Sequence, residues 1–169
     1  MSINRVLAVT TLLLGGCAAT TPAATAPYPP PALDVELRHD PDMDPIVPAE
    51  SGRGRLMGSG VGQVHGLVEG TVRWTLFEVQ SATSCELQLV GVITNAEGEE
   101  LRFEAIGYGN RPRPSSSRWD MTASAAFSGG AGSDSPLAGR VGAWVGFFDA
   151  RTGRHQYRVH LPAPERVGS

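Results

Sequence analysis

From Leu56 to Leu161 the chain alternates apolar and polar residues with a period of two, in runs of seven to eleven residues separated by Gly, Asn, Asp and Pro. Successive side chains of a strand point to opposite faces, so each run can bury one face and solvate the other. The runs predict strands over Gly60 to Leu67, Thr71 to Gln80, Cys85 to Thr94, Glu99 to Tyr108, Arg118 to Ser128, Arg140 to Asp149 and His155 to Leu161. No stretch combines three-four apolar spacing with helix caps, so helices are expected to be absent or minor. Leu33 to Leu37 also alternates, as a short strand or as an arm lying on the domain.

The punctuation supports antiparallel neighbours. Glu69-Gly70, Asn95-Ala96-Glu97-Gly98 and Ala150-Arg151-Thr152-Gly153 each place a glycine where a hairpin needs positive φ. Two longer connections, Asn110 to Ser117 and Gly129 to Ala138, are expected to be loops at one end of the fold. Leu87, Leu89, Gly91 and Ile93 share a face, as do Leu101, Phe103, Ala105 and Gly107, and that face is core. In the Gly142 to Phe148 run both parities are apolar, so this strand is expected to be buried on both sides. Glycines inside strands suggest the bends and bulges that close a sheet. The expected fold is all-β, a single small antiparallel barrel of six to eight strands over residues 56–162, with a two-sheet sandwich as the alternative.

The run Gly58-Ser59-Gly60-Val61-Gly62, with Gly66, Gly70-Thr71-Val72-Arg73-Trp74, Gly91-Val92-Ile93-Thr94, Glu97-Gly98 and Gly107, resembles a family of small uncharacterised bacterial β-barrel domains. Their architecture is similar to allene oxide cyclase and other calycin-like barrels. The resemblance spans roughly residues 58 to 109 and implies a barrel, with no settled activity to carry over.

The N-terminus has a different character. Arg5 precedes a short apolar run, Val6 to Leu14, far shorter than the roughly 20 residues of a membrane-crossing helix. The run ends in Leu14-Gly15-Gly16-Cys17, which resembles the lipobox of bacterial lipoproteins. The resemblance implies that residues 1–16 are a cleaved signal and that Cys17 is acylated and becomes the first residue. Residue 18 is Ala where members held at the inner membrane tend to have Asp, which favours the periplasmic face of an outer membrane. Ala18 to Ala32 is Ala, Thr and Pro, a composition that cannot bury a core and reads as a semi-stiff tether. Residues 17–55 are then lipidated cysteine, tether and polar arm, and residues 163–169 are a tail. With Cys17 acylated, Cys85 has no disulfide partner and is expected to be a buried, inert thiol.

Composition excludes several functions. All 14 basic residues are arginines, 17 residues are acidic, and neither sign forms a run, so nucleic acid is not an expected partner. Asp40, Asp42 and Asp44 look like the start of a calcium loop, but Pro45 and Ser51 stand where that loop needs Gly and a bidentate Glu. His39, His65, His155 and His160 form no zinc motif, and His155 and His160 have opposite strand parity. No metal or cofactor is expected. Ser115-Ser116-Ser117 lies in a loop without a nucleophile elbow, and the glycine runs open no helix that could hold a phosphate.

The remaining candidates are polar and aromatic strand residues. Arg73, Glu104, Asp120 and Arg158 would form a paired network if they pointed inward, and would be solvated if they pointed out. Trp74, Trp119, Trp144, Phe103 and Phe147 are core side chains or pocket walls. The reading is a lipid-anchored envelope protein whose barrel binds a small apolar or amphipathic ligand, through Arg73, Arg158, Trp74 or Trp144, or docks a partner. One alternative is a cyclase- or isomerase-like enzyme with Glu104 or Asp120 as a buried carboxylate. Another is a structural barrel filled by Trp and Phe.

Overall fold

Each alternating run forms a strand, and an eighth comes from the arm before them. The computed structural model describes residues 28–41, 54–129 and 134–163. The leader, Cys17, the tether through residue 27, Asp42 and Asp44, and the tail from residue 164 lie outside the described residues. In chain order the strands are β1 (Leu33–His39), β2 (Gly54–Gly66), β3 (Gly70–Gln80), β4 (Ser84–Thr94), β5 (Glu100–Asn110), β6 (Arg118–Gly129), β7 (Val141–Asp149) and β8 (Arg154–His160). Each pairs antiparallel with the next, and β1 pairs with β8, so the sheet closes into an eight-stranded barrel rather than a sandwich.

β1 makes the closure. Leu33, Val35 and Leu37 point into the core while Asp34, Glu36 and Arg38 face outward. The barrel therefore starts at residue 33, within the segment whose alternation is shortest, and not at residue 56. Both ends of the described chain, at Tyr28 and Ala163, leave from the end where β1 starts and β8 finishes, called the lower end here. Of the two long connections, residues 111–117 cross the upper end and residues 134–140, before β7, lie at the lower one, where Leu137 is fully buried. They sit at opposite ends because an odd and an even strand junction in an up-and-down barrel cannot share one.

Gly98 and Gly153 hold positive φ, at +83° and +64°, as their turns require. In the β2–β3 turn that role falls to Gly66, at φ +124°, and Gly70 begins β3. The Glu69 carboxylate accepts hydrogen bonds from the Gly66 amide at 2.9 Å and the His65 ring at 2.7 Å, which fixes this turn.

The glycines inside strands do not mark bulges. Every pairing register runs without interruption. They make room instead: a Cβ on Gly60 would strike the Trp74 indole, one on Gly91 the Phe103 ring and one on Gly109 the Met121 sulfur. An eight-stranded barrel is just wide enough to be filled by side chains. Trp144 occupies its middle, with Phe103 at 5.0 Å, Tyr157 at 5.5 Å and Phe127 at 6.3 Å between ring centroids.

β7 is not buried on both sides. Val141 is half exposed, and Ala143, Val145 and Phe147 are partly covered on the outer face. The Arg118 guanidinium lies 3.9 Å over the Phe147 ring, so an arginine shields that apolar side chain.

Candidate functional site

Strand parity decides where each candidate points. Glu104 and Asp120 share their parity with outward residues, opposite to Phe103, Ala105, Trp119 and Met121. Glu104 accepts a hydrogen bond from Gln88 Nε2 at 2.8 Å, and Asp120 pairs with Arg118 at 3.2 Å, both on the exposed surface. Arg158 faces Asp34 at 3.7 Å on the outside, and Arg73 lies on the outer face of β3. The four polar candidates are thus solvated residues of separate surface neighbourhoods, not an inward network. Trp74 and Trp144 do point inward, as core. The Trp74 indole donates to the Val61 carbonyl at 3.3 Å.

The buried carboxylate is Glu78. It follows Val72, Trp74 and Leu76 at the same parity of β3, and is 6% exposed at the upper end of the interior. Burial raises its pKa from 4.5 to about 6, against the opposing effects of the Cys85 thiol, which donates to it, and the Arg111 charge. Burial and the neighbouring Glu78 push Cys85 up to about 12, so the thiol stays protonated at neutral pH and is a poor nucleophile. Arg111 covers this end: it stacks 4.3 Å over Trp119 and donates to the Ala82 carbonyl at 2.7 Å and the Ser116 carbonyl at 3.2 Å.

Beside this pair stand two imidazoles in an aromatic surround. His155 is 1% exposed, stacks on Phe148 at 4.3 Å and shares a 3.1 Å hydrogen bond with the Tyr157 hydroxyl through Nδ1. His39, at the end of β1, lies 4.9 Å from His155 and meets Trp74 edge-on at 4.8 Å. Burial lowers the pKa of both, with His155 brought to about 3 by burial and then by His39. The Nε2 atoms of both rings and the Trp144 Nε1 are buried without a hydrogen-bond partner. Each such atom costs about 1–3 kcal/mol relative to a satisfied one. His65 and His160 are surface residues, held by Glu69 and by the Pro29 carbonyl. Among the described residues no three metal-ligating side chains converge.

A groove of about 400 Å3 opens on the outer face of the same end, lined by Met57, Phe77, Val79, Gln88, Ile106 and Tyr108. It shares Val79, Glu86 and Tyr108 with a smaller rim groove of about 190 Å3 that reaches Cys85. The chain matches no family model, no curated protein and no solved structure. Its chemistry must be read from this geometry. A carboxyl group with a pKa of about 6, a protonated thiol and neutral imidazoles can exchange hydrogen bonds or move a proton, but they sit in an interior otherwise packed with side chains.

Sequence reasoning missed Glu78, although its signal was present. A carboxylate in register with Val72, Trp74 and Leu76 must be buried if that parity is core, and His155 stands likewise with Tyr157 and Val159.

Proposed function

We propose that the chain is a lipid-anchored protein of the bacterial cell envelope whose barrel is a docking module. The Leu14-Gly15-Gly16-Cys17 run supports the anchor. At about 0.8 kcal/mol per buried methylene, two or three acyl chains on Cys17 would hold the protein durably, at the periplasmic face of an outer membrane where the cell has one. The tether enters at the lower end, which leaves the upper end facing away from its attachment.

The observation that carries the docking reading is an apolar groove on the outside of a filled barrel. Phe77 on β3 and Ile106 and Tyr108 on β5 are each about half exposed or more, to either side of Glu86 and Gln88 on β4. Monomeric soluble proteins rarely expose contiguous apolar patches larger than a few hundred Å2. A small amphipathic ligand would also have to lie on the outer face, where this groove is one of several, because the interior is occupied by Trp74, Trp144, Phe103 and Phe127.

Two measurements on the full chain in a bacterial host test the reading. Cys17→Ser should move the protein out of the membrane fraction; unchanged retention would overturn the anchor. In mild detergent extracts the protein should run as a discrete species larger than one chain, and Phe77→Glu with Ile106→Glu should reduce it to one chain. A wild-type protein that already runs as a single chain defeats docking.

One observation favours a second reading as a cyclase- or isomerase-like enzyme: Glu78 is a buried carboxylate with a pKa near neutrality, beside Arg111. Ring-closing or double-bond-shifting turnover that Glu78→Gln abolishes would support it. Turnover unchanged in that variant would remove the carboxylate from the chemistry.

A further inference from the structure

We infer that the groove is a self-association face and that the partner seated on it is a second copy of this chain; this rests on the docking reading and names its occupant. Met57, Phe77, Val79, Ile106 and Tyr108 are all exposed apolar side chains on the outer face of β2 to β5. The registers set them in two adjacent rows. Arg55, Val79, Glu86 and Tyr108 form the upper row, and Met57, Phe77, Gln88 and Ile106 the one below.

The charges select the occupant. Arg55 and Glu86 stand one strand to either side of Val79, and among the described residues neither makes an ion pair. A closed dimer uses one patch twice, so the patch must complement itself about a two-fold axis. An axis lying over β3, along the strand, sets Phe77 and Val79 against their own copies and exchanges β2 with β4. Arg55 then faces Glu86 of the partner subunit, and the symmetry makes that contact twice. Met57 packs on Gln88 of the partner subunit. Outside the dimer the same arrangement has little to offer an anionic lipid surface, because within the two rows the single positive charge is cancelled by the single negative one.

The described chain begins on the far side of the barrel from this face. Tyr28, the first described residue, stacks on His160 of β8, and in an eight-stranded circle β4 lies opposite β8. Two tethered copies can therefore turn their β2–β5 faces to each other while their lower ends stay near the membrane.

The test uses the full chain, extracted in mild detergent from the membrane of its bacterial host and sized by native mass spectrometry and light scattering. The expected result is a dimer. Arg55→Glu alone and Glu86→Arg alone should each weaken it at least tenfold, and the double exchange should restore it to within about threefold of wild type, one tenfold step being about 1.4 kcal/mol. As a readout independent of affinity, Val79→Cys, on the axis, should form an intersubunit disulfide under mild oxidation, and Thr122→Cys, on the outer face of β6, should not. Cys85 does not interfere, being buried and protonated. Single exchanges without effect, or a double exchange that fails to restore, would overturn the inference. A complex with a different protein, lost in Phe77→Glu, would overturn the second copy but leave the docking reading intact. A single chain at every concentration would overturn both.

Discussion

The two halves of the barrel interior are built from different materials. The lower half is hydrocarbon: Leu33, Val64, Val72, Ile93, Leu101, Phe127 and Val159, closed off by Leu137 and Leu161. The upper half holds Glu78, Cys85, His39, His155 and Tyr157 within the same closed sheet. Hydrocarbon burial stabilises at about 25 cal/mol per Å2 removed from water. Buried polar groups oppose folding unless paired, and here the Nε2 atoms of His39 and His155 are not. The lower half thus supplies stability, and the upper half spends part of it on titratable groups whose pKa values burial shifts.

Four measurements test that contrast. The largest effect is expected from Phe127→Ala in the lower half, which should lower unfolding free energy by about 3–5 kcal/mol in chemical denaturation, since the ring leaves a cavity beside Trp144. A loss under 1 kcal/mol would mean that the lower half is not the stabilising one.

Next is the acid limb. His155 is lowered in the folded state to about 3 from 6.5, so the unfolded chain takes up a proton first as pH falls. Its contribution is present above pH 6.5 and is lost as pH drops towards 3, at a slope of up to about 1.4 kcal/mol per pH unit. His39 is lowered in the same direction and adds to that limb. His155→Phe should flatten the stability profile between pH 6.5 and pH 4. A profile as steep as wild type would assign the acid sensitivity elsewhere.

Glu78 has the opposite sign. Its folded pKa is raised, so its contribution is present below 4.5 and is lost as pH rises through about 6. The rise from 4.5 to about 6 is worth about 2 kcal/mol against the folded state at neutral pH. Glu78→Gln should therefore stabilise by up to about 2 kcal/mol at pH 8 and make little difference at pH 4. A variant less stable at pH 8 would show that the charged carboxylate is well paired in its site. The smallest effect belongs to the outer face: Arg158→Ala, which breaks an exposed pair with Asp34, should change stability by less than about 1 kcal/mol.

Much of this contrast is legible in the amino-acid sequence. The alternation in β5 places Leu101, Phe103 and Ala105 inside and Glu104 outside, and the same rule applied to β6 sends Asp120 outward and to β3 sends Glu78 inward. Residue type alone does not separate Glu104 and Asp120 from Glu78; strand parity does. The glycines were harder. A glycine at an inward position can relieve a bend or admit a bulky neighbour, and only the neighbour, Trp74 over Gly60 or Phe103 over Gly91, distinguishes the two. In β7 the apolar outer face is covered by an arginine from the preceding strand, Arg118 of β6 over Phe147, which periodicity within β7 does not reveal.

By itself the sequence determined the strands, most turns, the inward face of each strand and a lipobox-like N-terminus, because these depend on local periodicity and local chemistry. The tertiary structure alone decided that Leu33–His39 completes the circle, that Glu78, Cys85 and Arg111 meet at one end, and that Arg55 and Glu86 flank Val79 on the outside. Period two states which side of a strand a residue occupies. Only closure and register state which residues of other strands stand beside it.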